Sequence, residues 1–343
     1  MLKKRPKIIA INSLVSQEYL SIRAIVGIEP LTLNKEIKVT PLSRIRLLKK
    51  NKFNIHVKFD GQEFFLETDQ YGHFSHRLKV KSFSKQKEFN LYAKSQGDST
   101  AYFLGSFKPS ELQKEKKIVI SDFDKTLVET KYKTIAEVYQ SLTSPVSDFP
   151  SLNKSVELLK SKIDSGYLPF ILSSSPNFYR PTIKEWLDSN DIPSNNVFLK
   201  DYRQFLSIFP TDLFIKDISS HGVHKLSQLI NIYLMTNIPA KIFLMGDNSE
   251  SDPVIYCIFS KIAADDFYPD DLWQEIKSRK EFLFTNSQSL KFLNKLYQAK
   301  NLNKKREKIT ETEIYIRKVP GKSLKKVPQF LEYYYQKIIF FED

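Results

Sequence analysis

Lys117-Ile118-Val119-Ile120-Ser121-Asp122-Phe123-Asp124-Lys125-Thr126 sets an apolar run directly ahead of two carboxylates that flank a single Phe. The run reads as a buried strand. In α/β sheets, strands deliver their carboxyl ends to the crevice where ligands bind. Two acids and a threonine at such an end suit phosphoryl transfer. Asp122 can attack phosphorus as a carboxylate nucleophile and give an aspartyl-phosphate. Asp124 is placed to protonate the leaving oxygen and then to activate water. Crowded carboxylates repel one another, so a hard cation such as Mg²⁺ is expected among them. The plain alternative is a polar strand end with a capping Asp, and DxDxT alone does not decide between the two.

The residues that follow continue the pattern. Leu152–Ser165 has helical spacing at Leu152, Val156, Leu159 and Ile163 and stops at Gly166. Leu168–Leu172 reads as a strand ending in Ser173-Ser174-Ser175-Pro176, where a hydroxyl and backbone N–H groups can hold a phosphate oxygen. Helices are expected at Lys133–Ser141, Arg180–Ser189 and His224–Leu234, with a short strand at Val197–Leu199. Lys225, at the start of one of these helices, can neutralise phosphate charge while the helix N-terminus assists. Lys241–Met245 is a further strand, followed by Gly246-Asp247 and by a helix opened by Asp252 and Pro253. Asp247 and Asp252 add carboxylates for a cation. Alternating strands and helices imply a largely parallel, three-layer sheet.

Upstream the period changes. Residues 8–107 alternate short apolar segments with turn signals, with strands expected at Ile8–Leu14, Tyr19–Val26, Ile45–Leu48, Asn54–Phe59, Phe64–Glu67, His73–Val80, Phe89–Lys94 and Ala101–Phe107. Asp60-Gly61 is a hairpin pair, and Tyr71-Gly72 closes another turn. This spacing argues for a β-sandwich. His56, His73 and His76 have neither cysteine nor a tight acidic cluster beside them, and read as strand-surface histidines rather than metal ligands.

The domain plan is therefore a β-sandwich at 1–108, a linker at 109–117, a catalytic α/β domain at 118–270, and a basic helical extension at 271–343. The formal net charge is +14. It splits into about +12 over 1–117, −5 over 118–270 and +7 over 271–343. The acidic motif thus sits in an acidic segment between basic flanks, a pattern that suggests attachment surfaces rather than a basic active-site groove. Cys257 is the one cysteine, so no intrachain disulfide can form and a reducing compartment fits. The apolar run Ile8–Ile11 is too short for a signal peptide, and no stretch approaches membrane-spanning length. A cytoplasmic protein is expected, peripheral at the inner membrane face if the basic flanks attach it there.

The order DxDxT, strand-Ser, helix-start Lys, strand-GDx₄D resembles the haloacid-dehalogenase (HAD) superfamily of aspartate-nucleophile phosphohydrolases. The resemblance implies a Rossmann-like three-layer sheet. Asp122 matches the nucleophile, Asp124 the acid/base, and Thr126 the residue that steadies the loop. Ser173 and Lys225 match the phosphate-holding positions, and Asp247 and Asp252 the acidic metal pair. It further implies that Mg²⁺ is held by the Asp122 carboxylate, the backbone carbonyl of Asp124, and the later acids. ILSSSPNFYRP, HKLSQLINIY and FLMGDNSESDPVIY look like the catalytic domain of the actin-patch-protein type of Mg²⁺-dependent phosphatidate phosphatases. That family often precedes the domain with a β-sandwich, and TDQYGHF resembles its T-D-x-x-G-x-F signature. Three positions depart from the pattern: Lys125 where a further Asp is common, Asn177 where an aromatic often stands, and Asn248 where Ser is usual.

The stretches between Thr126 and Leu168 and between Leu199 and Lys225 are too short for a large cap, so an open site is expected. Small-metabolite phosphatases close a lid over their substrate, whereas an open site suits phosphate presented on something large. The expected activity is a Mg²⁺-dependent hydrolysis of phosphatidate, or another phosphorylated lipid, at an anionic membrane surface. Two alternatives stay open. One is a phosphatase acting on nucleic-acid ends or phosphoproteins, since basic flanks also suit polyanions. The other is a non-catalytic lipid-binding module, against which the intact Asp122 and Asp124 count. Oligomeric state is not legible.

Overall fold

The computed structural model describes residues 4–16, 18–30, 51–81, 88–95, 100–129, 150–201, 221–249, 251–279, 281–282, 284, 286–306, 308–323 and 327–343. The strand expected at 45–48, the helix expected at 133–141, and much of the two insertions read as too short for a cap lie outside the described residues. The chain forms two compact units. One comprises Met1–Leu112 with Pro176–Pro181 and Asp201–Ser207, and the other the remainder from Gln113 onward.

Among its described residues up to Leu112, the first unit is all β. Its strands are β1 (Lys4–Val15), β2 (Tyr19–Pro30), β3 (Phe53–Phe59), β4 (Gln62–Glu67), β5 (His73–Lys79), β6 (Phe89–Ser95), β7 (Tyr102–Phe107) and the short β8 (Ser110–Glu111). They make two four-stranded sheets, ordered β5-β2-β1-β8 and β4-β3-β6-β7. Strict alternation in β3 sends Phe53, Ile55, Val57 and Phe59 inward and leaves Asn54 and Lys58 exposed. Those inward residues join Leu20, Ile22 and others of the opposite sheet in one apolar core. Asp60 and Gly61 both take positive φ (49° and 71°), so the β3–β4 loop is a two-residue turn whose twist matches the strands.

The TDQYGHF stretch is a backbone clamp between β4 and β5. The Asp69 Oδ1 accepts from the N–H groups of Tyr71 (2.8 Å) and His73 (3.0 Å). Thr68 Oγ1 accepts from the Phe53 N–H at 3.0 Å. Gly72, at φ +76°, hydrogen-bonds through its carbonyl to the Val26 N–H, and any Cβ there would run into the Val26 carbonyl. The signature is thus architectural and ties one sheet's turn to a strand of the other.

The second unit is built on a six-stranded sheet ordered β11-β10-β9-β12-β13-β14. Its members are β9 (Lys117–Asp122), β10 (Leu168–Pro176), β11 (Val197–Lys200), β12 (Lys241–Asp247), β13 (Glu311–Arg317) and β14 (Ile338–Phe341). The pairings β10–β9, β9–β12, β12–β13 and β13–β14 are all parallel. Apart from their first residues, β9 and β12 are buried without alternation, as strands covered on both faces must be. The helices are α1 (Asn153–Asp164), α2 (Arg180–Ser189), α3 (His221–Thr236), α4 (Asp252–Ala263), α5 (Pro269–Lys277), α6 (Asn286–Asn303) and the short α7 (Glu332–Tyr335). α1 ends as expected at Gly166, whose φ of +84° lets the Tyr167 N–H reach back to the Lys162 carbonyl. α4 is buried almost all round, the mark of a helix inside the core.

The segment 271–343 differs from the helical extension expected of it. It carries α6, but it also supplies β13 and β14, which extend the parallel sheet beyond β12. The reason is visible in Glu311-Thr312-Glu313-Ile314-Tyr315-Ile316-Arg317. Its early charged residues lie at the exposed start of the strand, and Ile314, Ile316 and Arg317 are buried toward its end.

Candidate active site

β9 ends with Asp122, which is 2% exposed, and the chain then folds back on itself. The Phe123 carbonyl accepts from the N–H groups of Thr126, Leu127 and Val128, and the Lys125 N–H donates to the Val128 carbonyl. Lys125 takes a left-handed φ of +58° to make this turn. Thr126 is fully buried there, but the backbone rather than its Oγ1 holds the loop. The Phe123 ring anchors the loop edge-on against Trp186, at 5.2 Å between centroids.

Asp124 is fixed from β10. The Ser173 hydroxyl donates to its Oδ2 at 2.8 Å and the Ser175 hydroxyl to the same oxygen at 3.0 Å. The Ser175 N–H in turn donates to Ser173 Oγ at 2.9 Å. Ser173, expected to hold phosphate, here holds the acid/base candidate, and Ser175 shares that task.

Lys225 lies one turn into α3, which begins at His221 rather than at the expected His224. Its Nζ lies 2.7 Å from Asp252 Oδ1 and 3.2 Å from Asp122 Oδ2, with all three side chains at 2% exposure or less. Asp252 opens α4, where a carboxylate suits the positive end of the helix. Asp247 ends β12, and its Oδ1 accepts from the Ser249 N–H at 2.6 Å. Carboxylate oxygens of Asp122, Asp247 and Asp252 lie within 4.8 Å of one another, the one such acidic grouping among the described residues. The Asp124 carboxylate stands outside it, engaged by the two serines. Three carboxylates against one ammonium leave a buried net charge of about −2, which fits a hard dication with oxygen ligands. Gly246 makes the approach possible: a Cβ would sit 2.5 Å from Asp252 Oδ2 and 2.8 Å from the Tyr256 ring. Tyr256 donates to the Met245 carbonyl at 2.8 Å, and burial, then the Asp252 charge, push its hydroxyl well above the usual range.

Arg317 escaped the sequence, and Asn248 showed there only as a departure from the family pattern. Arg317, 4% exposed at the end of β13, donates from Nη1 to the Lys125 carbonyl at 3.1 Å and so pins the loop that follows β9. Asn248 accepts from the Val319 N–H at 2.7 Å and donates to the Lys322 carbonyl at 3.2 Å, tying the β12 turn to the chain beyond β13. Cys257 is fully buried, and burial pushes its thiol up to about 12, which removes it as a nucleophile. Among the histidines, His56 stacks on Phe65 at 4.5 Å and lies 3.2 Å from Glu63, so it is occupied on the sheet surface.

A parallel α/β sheet whose strand ends gather buried acids around a lysine defines the class of domain. Residues 117–266 match the family described as Phosphatidate phosphatase APP1, catalytic domain. The resemblance to that phosphatase family therefore holds over this segment, which is less than half of the chain. No curated protein matches the chain. Among solved structures, a carbohydrate acetylesterase from Xanthomonas citri aligns at 9% identity with a TM-score of 0.27, over 89% of this chain. The chain spans 57% of that protein's length, and so low a score bears on neither fold nor activity.

Proposed function

We propose that this chain is a Mg²⁺-dependent phosphomonoesterase of the HAD type that hydrolyses phosphatidate to diacylglycerol and phosphate through an aspartyl-phosphate on Asp122. The observation that carries the reading is the placement of Lys225 Nζ between Asp122 and Asp252 in a buried acidic cluster, inside the segment that matches the phosphatase family. Asp122, Asp247 and Asp252 would hold Mg²⁺, which when bound neutralises phosphate charge.

An Asp122 oxygen attacks phosphorus, forming one P–O bond as the ester P–O bond breaks. Asp124 gives its proton to the departing alkoxide. Both serine hydroxyls donate to Oδ2, so that proton belongs on Oδ1. Lys225 offsets negative charge on the phosphoryl oxygens and on Asp122. In the second half Asp124, now a carboxylate, takes a proton from water as the water oxygen attacks phosphorus. The bond to Asp122 breaks, inorganic phosphate leaves, and both carboxyls return to their starting states.

No helix among the described residues is long and apolar enough to cross a membrane. Access to a lipid would come by attachment at the surface, for which the exposed Lys304, Lys305 and Lys308 are available. Arg306 of the same run is otherwise engaged: it donates to the Ala263 and Ala264 carbonyls at 3.0 and 2.9 Å.

The test is phosphate release from phosphatidate micelles, 5′-phosphorylated oligonucleotides and phosphopeptides, each with Mg²⁺ and with excess chelator. Release from phosphatidate that chelator abolishes and Mg²⁺ restores is the expected result. Release from oligonucleotide or peptide alone would overturn the substrate, and undiminished release in chelator would overturn the metal.

A further inference from the structure

Arg180 lies outside the catalytic machinery and stands out among the buried side chains of the β unit. It is 9% exposed, yet its Nε and Nη1 make no hydrogen bond. Three residues earlier, both amide atoms of Asn177 are buried without a hydrogen bond as well. Asn177 opens the 3-10 turn Asn177–Tyr179 and Arg180 follows it, and the segment Pro176–Pro181 groups with the β unit. Asn177 is also a position where this chain departs from the aromatic residue common in the family it resembles.

The charge that reaches Arg180 makes matters worse. Burial, and after it repulsion from Arg23, pull its guanidinium down to about 10. Arg23 is itself held at about 10 by burial, with Asp201 pulling the other way. Asp201 is further engaged with the His73 ring. Arg23 pairs with Asn12 on β1 and Ser75 on β5, so it belongs to the sheet face opposite the apolar core. Both guanidiniums stay charged at neutral pH, and Asp201 draws the Arg23 guanidinium the other way. Burying a cation beside a like charge is unfavourable unless an anion answers it. A polar group that is buried and unpaired adds to that.

We propose that Arg180, with Asn177 and the Arg23 charge, forms a binding site for a phosphate-class oxyanion. Arg180 presents N–H donors on two edges of its plane, and Asn177 adds amide donors. A tetrahedral oxyanion has enough acceptor oxygens to meet them, whereas a carboxylate has two. Asn177 also offers an acceptor, which the P–OH of a singly protonated phosphate can satisfy and sulfate at neutral pH cannot. Side chains of His73 and Asp201 keep 18% and 11% of their exposure, which gives the locus an edge toward solvent. The same oxyanion chemistry occurs in free phosphate and in a lipid phosphomonoester headgroup.

The test uses the full chain and two substitutions, Arg180→Gln and Arg180→Lys, with Asp122→Asn as a background that silences turnover. Thermal unfolding and calorimetric titration are run with inorganic phosphate, with sulfate, and with phosphatidylcholine vesicles that carry phosphatidate. Phosphate should raise the unfolding midpoint of the Asp122→Asn protein, and more than sulfate does. Adding Arg180→Gln should weaken that phosphate response about tenfold or more, as expected for loss of one charge-assisted contact. Without phosphate the same substitution should leave stability unchanged or higher, and Arg180→Lys should fall between. Whichever of phosphate and phosphatidate vesicles loses more response names the source of the oxyanion. Equal phosphate binding with and without Arg180→Gln would overturn the proposal. So would a stability loss of the same size in both buffers, since that describes a purely structural arginine. Failure of phosphatidate hydrolysis would leave this result standing.

Discussion

In the α/β unit Lys225 lies against Asp122 and Asp252 with Asp247 beside them, whereas in the β unit Arg180 feels the like charge of Arg23 and its Nε and Nη1 make no hydrogen bond. Both groupings bury charge where water screens it poorly, and each is left with a net sign. A buried cluster of that kind is stable only with an ion of the opposite sign or at the expense of folding energy. The first therefore reads as a cation site and the second as an anion site. The contrast separates their partners too. Each carboxylate of the first cluster sits on a strand end or helix start that the fold holds rigid. Arg180 follows a short turn, and its guanidinium nitrogens Nε and Nη1 meet no partner.

The largest effect should come from Asp122→Asn. An amide cannot serve as the attacking oxygen, so phosphate release should fall by on the order of 10⁴-fold or more. Far-UV circular dichroism should stay unchanged, because the strand keeps its shape. Residual turnover within tenfold of wild type would remove Asp122 as nucleophile and with it the catalytic meaning of the acidic cluster.

Lys225→Met probes the sign of that cluster directly. It removes the ammonium that lies against Asp122 and Asp252, and breaking a buried pair this way costs about 3–5 kcal/mol. Urea unfolding without Mg²⁺ should show this loss, and Mg²⁺ should recover part of it. Set beside Arg180→Gln, which should be neutral or stabilising without phosphate, the pair gives opposite signs from removal of one cation each. Equal losses from both would erase the distinction drawn here.

Gly246→Ala asks how tightly the cluster is packed. The added methyl would press on Asp252 and the Tyr256 ring, and overpacking of this kind costs about 1–3 kcal/mol. Because Asp252 is what gives way, the Mg²⁺-dependent gain in unfolding midpoint should shrink along with stability. A variant as stable as wild type with full Mg²⁺ response would show that the strand end yields easily.

Much of this geometry could be read from the chain because local signals agreed with the fold. The apolar run Ile118–Ile120 needed no partner to be recognised, and Asp60-Gly61 has backbone demands that few pairs meet. Asp122, Lys225, Asp247 and Asp252 were each visible at a strand end or helix start, and the structure brings them together. What stayed hidden depended on distant chain. Arg317 reaches a loop 192 residues away, on a strand whose polar start resembled a solvated tail. Ser175 was one serine in a row of three, and no sequence pattern tells which two hydroxyls face Asp124. Asn177 showed only as a departure from the family pattern and Arg180 carried no signal, since an unpaired group is defined only by what fails to surround it.

The smallest expected effect supplies the control for Arg180. Arg306 is also a largely buried arginine, but it donates to the two carbonyls at the C-terminal end of α4, and Asp265 lies 3.9 Å from its Nη2. A cation there meets the negative end of the helix dipole, while Asp252 stands at the positive end of the same helix. Removing the guanidinium leaves carbonyls that water can still reach in part, so Arg306→Met should cost about 1–2 kcal/mol. The loss should be the same with and without phosphate, because every interaction it breaks is with the protein's own backbone and one aspartate. Arg180→Gln should show the reverse pattern, little effect alone and a large one in phosphate. Urea titrations of both variants in matched buffers measure the difference. If Arg306→Met also proved phosphate-dependent, the ion would be acting on the surface at large, and the contrast between a partnered and an unpartnered arginine would lose its force.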